Sequence, residues 1–172
     1  MVAATMADAD VAIEHPNREK AGSKATRAVV IVLLLASALL VAVITIGAWD
    51  ALAGAKALQI AYILLYLGIA VMVLRWSRGV LPVAAALAIV LGIFAIVSVP
   101  GWFARDQDGF DDPALSADVV GLLTAILVPL QVLLIGFAMR GFQQAWNVEV
   151  EHPVEPPRRS EPGPGAGAPA PA

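Results

Sequence analysis

Cysteine is absent from the 172-residue chain, which excludes disulfides, thiol nucleophiles, iron–sulfur clusters and cysteine zinc sites. Histidine is nearly absent. His15 and His152 stand near opposite ends, outside every long apolar run, and this excludes the usual axial haem ligation within a helical core. Charge is also scarce: Asp, Glu, Lys and Arg make up 15% of residues, against about 25% in ordinary soluble domains. The net charge of −3 is too small and too dispersed for a nucleic-acid partner. Apolar residues fill the space that charge leaves, 59% of the chain with a mean hydropathy of +0.80.

That excess is gathered into four uncharged runs. A helix needs about 20 apolar residues to cross a hydrocarbon core of roughly 30 Å, and residues 28–49, 57–74, 79–100 and 119–139 each supply such a stretch. The expected fold is therefore all-α: an integral membrane protein, built as an antiparallel four-helix transmembrane bundle with disordered polar tails. Residues 25–146 form its membrane domain. The proline–glycine pair Pro100-Gly101 is expected to end the third helix. A cleaved signal peptide is the competing reading of the first run. Its 22 uncharged residues exceed the usual 7–15 of such a segment, so it reads as an uncleaved span.

Lysine and arginine give the orientation, because they are retained in cytoplasmic loops. Arg18, Lys20, Lys24, Arg27, Arg75, Arg78 and Arg140 flank one side, and only Lys56 and Arg105 flank the other. Both termini are expected inside. Trp49 and Trp102 mark the outer ends of spans one and three, while Trp76 and Trp146 mark the inner ends of spans two and four. Indole rings favour the headgroup layer, so all four read as interfacial anchors.

Residues 1–24 lack sustained periodicity, and residues 147–172 are rich in proline, glycine and alanine. Neither can bury enough apolar area to offset the entropy of ordering. The outer loop at 102–117 is the longest connection and carries "RDQDGFDDP". Asp106, Asp108, Asp111 and Asp112 are a weak divalent-cation candidate. With Gly109 at position 6 of an EF-hand loop, Ala104 and Leu115 would occupy positions 1 and 12, where two of the required ligands belong. Helical aspartate motifs of prenyl-diphosphate and phosphatidyl-alcohol chemistry need four-residue spacings that "DQDGFDD" lacks. Aspartate, glycine and proline also make turns, and a solvated loop accounts for the segment. No metal or cofactor is expected.

Inside the four runs there is no Asp, Glu, Lys, Arg or His. Ion pumps, proton-coupled carriers and intramembrane hydrolases use ionisable groups at membrane depth, because such groups are costly there and are kept for work. Gln59, Tyr62 and Tyr66 share one helical stripe of span two. Tyr66 and Gln131 lie at similar depths, roughly 14 and 18 Å from the outer boundary at 1.5 Å per residue, and are expected to form an interhelical hydrogen bond. Ala84, Ala88 and Gly92 make a small-residue strip suited to close helix approach, either within the bundle or against another copy. Pro129 is expected to bend span four, and Ser116 to cap its start.

The leading expectation for function is a non-enzymatic accessory, scaffold or envelope component whose partners are the lipid bilayer and a membrane protein or a second copy. The alternatives are an oligomeric channel or carrier for a neutral or apolar solute, and a lipid-modifying enzyme using the outer aspartates. An alanine- and arginine-leaning composition with three lysines points to a bacterial plasma membrane.

Overall fold

The structure is a computed structural model that describes residues 11–104 and 114–153. In chain order the elements are strand β1 (Val11–Glu14), helices α1 (Pro16–Glu19), α2 (Ala21–Gly47), α3 (Lys56–Leu74), α4 (Leu81–Ala104) and α5 (Ala117–Gln143), and strand β2 (Val150–Pro153). Short 3₁₀ segments at Asp50–Ala55 and Arg78–Val80 join α2 to α3 and precede α4. The four longer helices α2–α5 are long and apolar enough to cross a membrane.

Residues 15–148 form one unit. Within it α4 packs most closely on α5, α5 on α2, and α2 on α3, whereas α3 and α4 scarcely touch. The small strip of α4 explains the closest pair. Ala84 and Ala88 are fully buried, and a Cβ on Gly92 would stand 3.6 Å from the Gln131 side chain. The strip is therefore spent inside the unit, against α5. One apolar cluster runs through all four helices, from Val30, Leu34 and Ala38 to Tyr66, Val73, Leu81, Leu134 and Trp146. The outward faces are equally apolar: Leu39, Ile46, Leu64, Val97 and Val132 are each more than 60% exposed.

Helix boundaries depart from the sequence expectation in three places. First, α2 starts at Ala21 rather than 28, and α1 precedes it, so residues 16–19 and 21–24 are helical instead of tail. Polar contacts hold them: Asn17 Nδ2 donates to Ala145 O at 3.1 Å and Arg18 Nε to Trp146 O at 2.9 Å. Lys24 pairs with Glu19 at 2.8 Å, and its hydrogen bond and charge hold the Glu19 carboxyl below its ordinary range.

Second, α4 continues through Pro100 to Ala104. A proline inside a helix loses its own N–H bond and crowds the carbonyl four residues back, and tertiary packing holds the final turn against that cost. Trp102 is buried, and a Cβ on Gly121 of α5 would meet Trp102 and Phe103 at 3.1–3.2 Å. Third, Ser116 is the N-cap of α5 by backbone geometry, but its side chain makes no capping bond; Asp118 does lie in the first turn. The approach to α5 is held instead by Leu115, whose N–H donates to Gly47 O at 2.9 Å and whose side chain occupies the space a Cβ on Gly47 would need.

The chain ends belong to a separate unit, in which β1 and β2 pair antiparallel with Val11 opposite Pro153 and Glu14 opposite Val150. These residues were expected to lack order. Their backbone groups find partners in each other, which composition alone does not reveal.

Candidate functional site

Two polar layers are buried between the helices. In the deeper one, Tyr66 Oη donates to Gln131 Oε1 at 2.7 Å, and Gln131 Nε2 donates to Ser37 Oγ at 3.1 Å. Tyr66, Gln131 and Ser37 are at most 1% exposed, so the network ties α3, α5 and α2 in a dry interior. Ser37 carries no sequence signal of its own: it is one small polar residue in a run of aliphatics. The nearer layer joins α2 to α3. The Thr45 hydroxyl stands 2.6 Å from Val41 O and also touches the Gln59 carboxamide oxygen. A hydroxyl has one proton to give, so the second contact is fully satisfied when the amide turns its NH₂ toward Thr45.

Between these layers and the Asp50–Ala55 turn lies a cavity of about 370 Å³. All four helices contribute. Its floor is Val41, Tyr62, Leu91 and Leu127. One turn further along the respective helices sit Ser37, Tyr66, Ala88 and Gln131, all essentially without exposed surface, so the cavity is blind at that level. Its polar side chains are Gln59 and Tyr62 of α3, Ser98 and the Trp102 indole of α4, and Thr124 of α5. Ser98 and Thr124 already donate to their own helix, to Phe94 O at 2.7 Å and Val120 O at 2.8 Å. The Tyr62 ring meets Tyr66 edge-on at 5.9 Å, but its hydroxyl has no hydrogen-bond partner among the described residues. No charged side chain lines the cavity among those residues. Thus the stripe Gln59–Tyr62–Tyr66 divides: the first two face the cavity and the third is locked beneath it.

The expected anchors also divide. Trp49 is 45% exposed with Lys56 Nζ 4.7 Å from its ring centroid, and Trp76 is half-buried. Trp146 is fully buried and Trp102 nearly so, so both rings pack against protein. Trp146 packs edge-on against Trp76 at 5.5 Å. Around this pair, arginines close helix ends. Arg27 donates to Val73 O (3.2 Å) and Leu74 O (2.6 Å) at the end of α3 and covers the Trp76 ring at 4.3 Å. Arg78 donates to Phe142 O at 2.7 Å and covers the Phe142 ring at 4.3 Å. Cations suit the negative end of a helix dipole; charge counting alone reads these two as orientation signals and misses their capping role.

Asp106, Asp108, Asp111 and Asp112 lie outside the described residues. Among the described ones, no three metal-ligating side chains converge.

No family model, curated protein or solved structure matches the chain.

Proposed function

We propose that the protein is a multi-pass membrane protein of the bacterial plasma membrane. It spans the bilayer as an antiparallel four-helix bundle with both termini cytoplasmic, and acts without catalysis as an accessory or scaffolding component of the envelope. The observation that carries this reading is the inverted distribution of polarity. The outward faces of α2–α5 are aliphatic, whereas the deepest polar groups turn inward and bond one another. Contiguous apolar surface on this scale is foreign to a monomer in water and suits lipid, where every backbone group must be satisfied within the helix.

The blind cavity favours a second element within the same reading, the binding of an uncharged molecule rather than its conduction. A channel or carrier wall at Tyr66 and Gln131 would need those groups to face open space, and both are consumed by their mutual bond.

Extraction in mild detergent followed by native mass spectrometry tests the accessory role. The expected result is a stoichiometric complex with another membrane protein or a second copy of this chain. A monomer accompanied only by lipid would contradict it.

A further inference from the structure

We infer that the cavity between α2, α3, α4 and α5 is a binding site for an uncharged, single-chain amphiphile, its hydrogen-bonding group held by Tyr62 and Gln59 and its chain leaving between α3 and α4. The size fits one small head and the first part of a chain. About 370 Å³ sits at the low end of the roughly 300–1,000 Å³ of ligand pockets, which are mostly apolar with a few convergent polar groups. A two-chain phospholipid is too large for it. The cavity is open to the surroundings on one side, and in a bilayer the nearest filler is lipid.

Chemistry narrows the class. Two of the polar groups sit one turn apart on α3: the Tyr62 hydroxyl, which has no hydrogen-bond partner among the described residues, and the Gln59 carboxamide, which also meets Thr45. Together they donate to, and accept from, a hydroxyl or ester oxygen. Among the described residues no lysine or arginine lines the cavity, and a carboxylate or phosphate buried there without a counter-charge would be strongly disfavoured. The facing wall, Leu91, Phe94, Ala95 and Val97 of α4, is apolar and suits a chain. The exit follows from the helix order. Because α3 and α4 scarcely touch, the cavity's exposed lining residues Leu58, Phe94 and Val97 flank a gap between them.

The entry of the chain from lipid rests on the membrane-spanning reading; the binding itself is measurable in micelles. The probe is a monoacylglycerol bearing a diazirine and an alkyne, used on the full chain in detergent, with adducts mapped by peptide mass spectrometry. Labelling is expected on α3 and α4 peptides that line the cavity, competed by untagged monoacylglycerol but not by a fatty acid or phosphatidylcholine. Ala55→Trp and Ser98→Trp, at exposed lining positions, are expected to abolish the competable labelling while leaving thermal unfolding unchanged. Tyr62→Phe, which removes only a hydroxyl, is expected to weaken competition roughly three- to tenfold, the value of one hydrogen bond. Labelling spread over all lipid-facing surfaces, or indifferent to these three variants, overturns the site. Equal competition by fatty acid or phosphatidylcholine overturns the ligand class. A chain that inserts with the assigned topology yet shows no competable labelling loses the site alone; one that binds the probe but purifies without detergent loses the membrane reading alone.

Discussion

At the scale of single residues, buried polarity is used as a lock. Gln131 bonds both Tyr66 and Ser37, and removing one member leaves the others unsatisfied in a dry interior. Gln131→Leu is expected to destabilise the protein by about 1–3 kcal/mol, the penalty for stranded buried polar groups. In a double-mutant cycle with Tyr66→Phe, the coupling is expected near 1 kcal/mol, as for other interhelical bonds in membranes; detergent-titration unfolding measures both. A coupling of zero would mean that the two side chains do not bond. Ala145 offers the opposite sign. It sits at φ 48°, left-handed backbone that costs a residue with a Cβ roughly 1–2 kcal/mol. Ala145→Gly is expected to raise stability by up to about 1 kcal/mol, although glycine usually lowers it, because the strain relieved exceeds the entropy lost.

At the scale of elements, the end of α3 shows how packing overrides local preference. Trp76 N–H donates to Val73 O at 3.0 Å and Ser77 N–H to Met72 O at 3.0 Å, the Schellman pattern that normally places glycine in the left-handed position. Tryptophan holds it here at φ 61°, pinned between Arg27 and Trp146. Trp76→Ala loses the ring and keeps the strain, and is expected to cost about 3 kcal/mol. Trp76→Gly is expected to be roughly 1 kcal/mol less damaging, an order that thermal unfolding of the two variants reads directly. At the other end of the unit, Gly47 gives Leu115 its seat. Gly47→Val is expected to cost about 1–3 kcal/mol through overpacking.

Helix existence was legible in the sequence because four uncharged runs of spanning length admit few other readings, and the Tyr66–Gln131 pairing because the two residues share a depth. The ends of α2 and α4 were not. Hydropathy stops reporting where Lys24 and Arg27 enter α2, and a proline signal at 100 carries no information about Trp102 and Gly121 packing across the gap. The cavity was equally hidden, since the stripe of Gln59, Tyr62 and Tyr66 does not say which member is locked and which is open.

At the scale of the whole molecule, the proposal is that lipid covers the aliphatic faces of α2–α5 and that the arginine-closed helix ends face the cytoplasm. A chain without cysteine permits a direct test with single introduced thiols. Gly54→Cys lies in the turn between α2 and α3, Ser77→Cys in the turn before α4, and Val148→Cys beyond α5. Intact cells are treated with a membrane-impermeant maleimide, before and after permeabilisation. Gly54→Cys is expected to label at once, and Ser77→Cys and Val148→Cys only after permeabilisation. Labelling of Ser77→Cys or Val148→Cys in intact cells, or protection of Gly54→Cys, would contradict the proposed topology.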